Sequence, residues 1–458
     1  MKTEELNIGL YLQQAKTDVR TEGGAENRVA VGVTTDSRQL LAGELFVAIK
    51  GERFDGHDFV EDSLRRGAVA AVVAESEYRR FSGKNLPLLV CSNPGDLLMD
   101  LAGWYRSRFN IPVIGLTGSA GKTTVKEMLS HLLRQKWTVV STRANHNNFI
   151  GVPQTLFSLN GETEMAVVEM GTNHPGEIAR LAEIVKPTHA VITNIGSGHI
   201  GYFGSREAIY REKSALFEQV AENGTIVLNM DDEFLRSYSR PAAKIVPLRS
   251  GEEYRLLALR EDGCAEIEIK GVGRIKLQVP GRHQAVNAAL AALLALQLGL
   301  PPELVKVGLT SFQSPDKRMQ LLEKAGIKII NDAYNANPES MKAALLFLNE
   351  LPLTAGKKRY AALGDMLELG EFSRQLHREV GAFLSTLNID EVLLLGPEMK
   401  VVAEKFSGSD MKIGHFQSHQ ALGEYLGGII KPGDALLLKG SRGMAMEKIL
   451  NFLPGEND

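Results

Sequence analysis

A glycine-rich turn between an apolar strand and an amphipathic helix is the strongest constraint on this chain. Residues 115–124 read Gly-Leu-Thr-Gly-Ser-Ala-Gly-Lys-Thr-Thr. The run from Phe109 to Thr117 predicts a buried strand, and the run from Thr124 to Leu133 predicts a helix with one apolar face. Such a turn aims backbone N–H groups and a helix N-terminus at one point, which favours phosphate. Gly118 and Gly121 permit close backbone approach, with Ser119 and Ala120 between them. Lys122 is placed to reach the β- and γ-phosphates, and the Thr123 hydroxyl to ligate Mg2+. The pattern implies a nucleoside triphosphate site in a protein that consumes ATP or GTP. One position departs from G-x-x-x-x-G-K-[ST]: Leu116 stands where the first glycine belongs.

The chain's 458 residues exceed one ordinary core, so two to four domains are expected. A net charge of −3 exerts no bulk pull on nucleic acid or anionic membrane, so any phosphate site must be local. Cys91 and Cys264 are too few and too far apart for a zinc module or a disulfide scaffold and fit a reducing cytoplasm. The start Met1-Lys-Thr-Glu-Glu-Leu reads as no secretory signal, and apolar runs such as 287–300 are too short or interrupted to span a bilayer.

The pattern along the chain predicts an α/β protein of three domains. Residues 1–92 read as a small α/β unit, with strands at 45–49 and 68–74, a helix at 58–66, and a stop at Ser92-Asn-Pro-Gly. Residues 93–312 read as a parallel sheet carrying the glycine turn. Its strands lie near 139–141, 165–170 and 189–194, its helices near 174–185, 205–221 and 284–298, and a β insertion at 250–280. Residues 313–458 read as a Rossmann-like unit with strands at 327–331, 359–363, 391–396 and 434–439 and helices at 338–349, 372–386 and 442–452.

Ligands of such sheets collect at the carboxyl ends of the strands. Glu169 closes one strand and is either a Mg2+ ligand or an ordinary solvated strand end. His199, between glycines after Thr193-Asn194, is either a metal ligand or an unremarkable loop histidine. Lys213, on a helix, reads on spacing alone as solvated surface. The cluster Asn145-His146-Asn147-Asn148 suits a polar substrate or a helix cap. Asn287 is expected to face outward near the start of its Ala-rich helix.

Together these segments resemble the Mur ligase family, the ATP-dependent amide-forming enzymes of bacterial peptidoglycan synthesis. The motifs T-G-S-A-G-K-T-T, N-H-N-N-x-x-G-V-P, V-V-E-M-G, T-N-I-G-x-x-H and G-R-H-Q-A-x-N-A-x-A-A occur in family order. S-P-x-x-R-M, N-D-A-Y-N-A-N-P, L-G-D-M-L-E-L-G and L-K-G-S-R follow them. The Leu116 departure is itself the family form. Asp332-Ala-Tyr-Asn-Ala-Asn-Pro, the Gly364 segment with Ser373 and His377, and Lys439-Gly-Ser-Arg are similar to the branch that adds D-alanyl-D-alanine to UDP-N-acetylmuramoyl-tripeptide.

The resemblance implies ATP, two Mg2+ ions and an acyl-phosphate intermediate. Thr123 and Glu169 would hold the first ion and His199 the second. Lys213 matches the family's carbamylated lysine, a CO2-derived carbamate that would also bind Mg2+. Asn287 would contact adenine, Arg318 the phosphates or ribose, and Asp332 the ribose. Asn145, His146, Asn147 and Asn148 would face the muramoyl peptide. Ser37 and Arg38 would hold its UDP end, their alternative being a surface turn. Asn337 and segment 365–377 would face the dipeptide. The resemblance further implies a cytoplasmic monomer without nucleic-acid partner or membrane insertion, and an open form that closes on its ligands. Two other readings remain open: a folylpolyglutamate synthetase-like ligase, and a P-loop switch whose output is conformation.

Overall fold

The strand order of the central sheet puts the glycine turn at its middle. From edge to edge the strands are Lys244–Leu248, Thr225–Asn229, His189–Ile192, Val113–Thr117, Met165–Glu169 and Val139–Ser141, all parallel. The chain fills one side of Val113–Thr117 first and the other side afterwards. That strand is therefore the switch point, where the two neighbouring connections diverge and leave a crevice. The computed structural model describes residues 5–314, 316–406 and 411–455; the first four residues of the amino-terminal segment and Pro315 of S-P-x-x-R-M lie outside them.

Helix Lys122–Leu133 follows the turn and buries Val125, Met128, Leu129, Leu132 and Leu133. Each such side chain contributes on the order of 2 kcal/mol. It packs on helix Gln284–Gln297, whose Ala288, Ala291, Ala292 and Ala295 are fully buried. Alanines on the facing helix bring the two backbones close, so the start of one helix reaches the glycine turn at the start of the other. The expected β insertion is a separate antiparallel sheet of Tyr254–Leu259, Cys264–Ile269 and Gly273–Pro280.

The amino-terminal sheet runs Val19–Glu22, Leu88–Cys91, Ala70–Ala74, Leu45–Val47 and Val33–Thr34, with only the first pair antiparallel. The third sheet runs Gln320–Lys324, Ile327–Asp332, Ala435–Lys439, Arg359–Gly364, Glu391–Leu395 and Lys412–Phe416, again with an antiparallel first pair. The architecture is the expected three-domain α/β fold. The helix anticipated over 442–452 is instead two 3-10 turns, Arg442–Met444 and Met446–Phe452, because Ala445 adopts a left-handed φ of 46° between them. Among the described residues, no helix is long and apolar enough to cross a membrane.

Arg106 fixes the approach to the central strand. It is 5% exposed, and its guanidinium donates to the carbonyls of Val185, Phe109 and Ile111. Burial lowers its pKa to about 10, so these carbonyl bonds offset part of the cost of a buried cation. Arg106→Met leaves three carbonyls without this donor. It is expected to destabilise the protein by about 2–4 kcal/mol, read as a lower midpoint of the first urea transition.

Candidate active site

The turn at 118–121 can be made only with glycine at both ends. Gly118 has φ 151°, and a Cβ there would lie 1.9 Å from Thr193 Oγ1; Gly121 has φ 79°, and a Cβ there would lie 2.7 Å from Asn287 Oδ1. The next strand end straps the turn down. Ser119 N donates to Asn194 O, Ala120 N donates to Asn194 Oδ1, and the Thr193 hydroxyl donates to Ala120 O. Gly121 begins helix Lys122–Leu133 without a side-chain cap, so no side chain occupies the first-turn N–H groups of Lys122, Thr123 and Thr124. The Lys122 ammonium folds back onto Gly118 O at 2.7 Å. Burial lowers its pKa, Arg318 adds to that effect, and Glu169 opposes it.

A cleft of about 790 Å3 opens over this turn. From the central sheet it gathers residues 119–124, Glu169, Asn194, His199 and Asn287; from the third sheet it gathers Arg318, Asp332 and Asn337. Asn145, Asn147 and Asn148 form another wall, whereas His146 is exposed and does not line the cleft. Glu169 is 1% exposed rather than a solvated strand end. Its Oε1 accepts from the Thr123 hydroxyl at 3.2 Å and from Asn147 Nδ2 at 2.8 Å, while its buried Oε2 has no hydrogen-bond partner among the described residues. An unpartnered buried carboxylate oxygen beside a threonine hydroxyl and a phosphate cradle fits Mg2+, which prefers a few oxygen ligands plus substrate phosphates. Among the described residues, no group of three or more His, Cys, Asp or Glu forms a complete protein cage for a metal.

Two expectations from spacing change here. Asn287 does not face outward: it is 5% exposed, turned toward Gly121, and donates to Gln284 Oε1. Lys213 is not on the surface: it is 1% exposed and makes no hydrogen bond or ion pair among the described residues. Burial holds its pKa well below that of an ordinary lysine; Lys122 adds to this and Glu212 opposes it. In both cases the side chain lies on the face its helix turns to the central sheet, which composition alone did not mark.

The expected open arrangement is not the one seen, because the third sheet's elements are docked on the central turn. Asn337 Nδ2 donates to Ser119 O, while its Oδ1 caps helix Pro338–Glu350 through Ser340 N. Glu339 Oε1 accepts from both the amide and the hydroxyl of Ser197 at 2.9 Å. His199 Nδ1 lies 2.7 Å from Glu368 Oε2, a contact that holds the Glu368 carboxyl below its usual range. Asp332 accepts from Met319 N and pairs with the buried Lys439, its register partner across the sheet; Arg318 stacks 3.9 Å over the Tyr334 ring. In segment 365–377, Leu367 and Glu368 reach the cleft. Asp365 and His377 are buried in main-chain bonds to Met399 N and Met366 N.

Ser37 and Arg38 lie apart from the cleft. Arg38 donates to Asp36 through Nε and Nη2 but is otherwise exposed, and Ser37 O accepts from Arg66. Nearby, a second hollow of about 490 Å3 lies between Thr35, residues 51–54 and Ile150. Sequence reading passed over Glu339. Glu368, His283 and Lys439 stood inside quoted motifs, Glu368 within segment 365–377, with no role of their own.

The comparisons now bear on this geometry. Residues 30–94 match "Mur ligase family, catalytic domain", residues 116–295 "Mur ligase middle domain", and residues 317–442 "Mur ligase, glutamate ligase domain". The chain belongs to the Mur ligase family. The UDP-N-acetylmuramoyl-tripeptide–D-alanyl-D-alanine ligase of Bacillus subtilis is 35% identical to this Mur ligase over 93% of this chain and 94% of its own. A crystal structure of MurF from Acinetobacter baumannii superposes with a TM-score of 0.88 at 31% identity, covering 99% of both chains. MurF ligase from Thermotoga maritima in complex with ADP gives 0.80 at 31% identity, covering 92% of this chain and 96% of that one.

His283 supplies a pH test of this Mur ligase's cleft. Its Nδ1 is buried without a partner among the described residues, and burial lowers its pKa from 6.5 to about 4, with Asp332 opposing and Lys439 reinforcing. The unfolded chain therefore takes up this proton first, and the stability is lost as pH falls from 6.5 toward 4. His283→Asn is expected to lessen that loss by on the order of 1–2 kcal/mol, allowing for the ring's partial exposure. Urea unfolding of both proteins at pH 7 and pH 4.5 measures the difference.

Proposed function

We propose that this chain is an ATP-dependent, ADP-forming carbon–nitrogen ligase of the cytoplasm, acting as a monomer. It adds D-alanyl-D-alanine to UDP-N-acetylmuramoyl-tripeptide, giving the pentapeptide precursor of peptidoglycan. The observation that carries the reading is the double use of Glu169. One carboxylate oxygen joins Thr123 of the nucleotide turn to Asn147 of the amide-rich loop, so the nucleotide and acceptor sides share one fixed point. The comparisons support the same branch: full-length relatives and superposable structures carry that enzyme's name.

The chemistry has to bring two anions together. The tripeptide carboxylate attacks the γ-phosphorus of ATP, the bond to the bridging oxygen breaks, and ADP leaves. The dipeptide amine then attacks the acyl carbon, the C–O bond to phosphate breaks, and the amine gives up a proton as the amide forms. Bound Mg2+ would neutralise charge on the phosphates, held by Thr123 and Glu169 with His199 near a second ion. Lys122 supplies a fixed cation to the transferring group, and the uncapped helix start supplies N–H donors. Asn287, adjoining Gly121, is assigned to adenine, and Arg318 and Asp332 to the phosphate–ribose side. Asn145, Asn147 and Asn148 are assigned to the muramoyl peptide, and the amino-terminal domain to its UDP end. The docked third domain keeps water from the acyl phosphate, which hydrolysis would otherwise waste.

Phosphate release from Mg-ATP should require both UDP-N-acetylmuramoyl-tripeptide and D-alanyl-D-alanine, with a pentapeptide product by mass. Release without the muramoyl substrate would instead indicate a switch. Turnover only with a single amino acid and a shorter acceptor would assign the chain to another branch.

Lys213 is proposed to carry a carbamate. A buried amine with a lowered pKa is the neutral nucleophile that adds to CO2, losing a proton and becoming an anion. Lys213→Ala is expected to lower kcat by at least about a hundredfold, with partial recovery on adding a small carboxylate such as formate. Full activity of the variant without additive sinks the assignment.

A further inference from the structure

We propose that Lys126 is a positioning residue that fixes the amide-rich loop 142–148 against the nucleotide turn and so sets affinity for the acceptor peptide. The proposal rests on the functional reading above for the identity of that acceptor. Lys126 lies one helical turn beyond Lys122 and has no exposed surface. A buried ammonium is costly unless it is well partnered. Here its Nζ donates to Thr142 O at 2.7 Å and to Ala144 O at 3.4 Å, and pairs with Glu127 at 2.6 Å.

Both carbonyl acceptors belong to the segment that leads into the asparagine cluster. Ala144 is held at a φ of 45°, a left-handed conformation that a non-glycine residue keeps only when its surroundings impose it. The same segment is pinned from the sheet side. Thr142 Oγ1 accepts from Glu169 N, Asn147 O accepts from Gly171 N, and Asn147 Nδ2 donates to Glu169 Oε1. Lys126 is the tie from the helix side. It reads no side chain in the loop and touches neither the cleft nor the phosphate turn. It therefore acts through the loop's backbone, holding Asn145 and Asn147 where the acceptor meets Glu169.

The test compares Lys126→Met, which keeps the buried volume but has no donor, with Lys126→Arg, which keeps donors, in the full-length protein. The expected result for Lys126→Met is a folded protein with a somewhat lower melting temperature, faster hydrogen exchange at residues 142–148, and unchanged exchange in strand Val113–Thr117 and helix Lys122–Leu133. Its KM for UDP-N-acetylmuramoyl-tripeptide should rise about tenfold while its KM for ATP stays within about twofold. Lys126→Arg should restore loop protection at least in part. Unchanged loop exchange, or a rise that includes the helix, overturns the proposal. So do an equal rise in both KM values, an unchanged acceptor KM, or a Lys126→Met protein that fails to fold, since each makes Lys126 a core residue only. If the unaltered protein does not turn over the muramoyl peptide, the functional reading fails, and the exchange pattern alone judges Lys126.

Discussion

A phosphate cradle must be rigid and yet keep free donors, and the rest of this molecule is arranged around that conflict. The protein resolves it by placing the turn on the switch-point strand, where the carboxyl ends of both neighbouring strands can serve it. On one side, Thr193 and Asn194 take the N–H groups of Ser119 and Ala120 and one carbonyl. That fixes the loop while the helix start is left uncapped for phosphate. On the other side, Glu169 presents a buried oxygen with no protein partner. A side chain at Gly118 would collide with Thr193, and one at Gly121 with Asn287.

The same economy of contact explains how the third domain meets the central one. Beside the cradle its approach is made through small residues and a helix start. A Cβ on Gly201 would lie 2.5 Å from Gly370 N, and a Cβ on Gly196 would lie 2.8 Å from the Glu339 carboxyl carbon. Backbones this close, with Asn337 bonded to the turn itself, tie the third domain's position to the geometry of the cradle.

Sequence alone carried the local elements and the ordered motifs well, because both depend on short-range periodicity and on glycine, proline and asparagine at fixed offsets. The glycine turn, the strand ending in Glu169 and the β insertion at 250–280 were all legible for that reason. What depended on which way a helix faces was not. On spacing alone Lys213 on a charge-rich helix and Asn287 on an alanine-rich one read as facing solvent, and only the family resemblance placed them at the site. Contacts between distant segments left no trace either: nothing near Glu339 or Glu368 indicates that they meet Ser197 and His199. His283 and Lys439 were visible as motif letters without a role, since their role lies in what they adjoin.

Among the described residues Lys126, Lys213 and Lys439 are buried and Lys122 is partly so, and their partners divide them by task. Lys439 is paired with Asp332 across the sheet and bonded to Asn335 O, so its charge is balanced before any ligand arrives. Lys126 is balanced by Glu127 and two main-chain carbonyls. Among the described residues Lys122 has only Gly118 O, a neutral acceptor that phosphate can replace without stranding a carboxylate. Lys213 has no bonded partner among the described residues, and Lys122 lies near enough to disfavour its charge further. Desolvation without compensation is unstable for a cation and tolerable for a neutral amine. The sequence of environments therefore runs from a paired charge, through one held ready for an anion, to an amine whose burial favours loss of its proton. A fold that needed lysine at position 213 only for packing would have been served better by methionine or leucine, which bury the same volume without that cost.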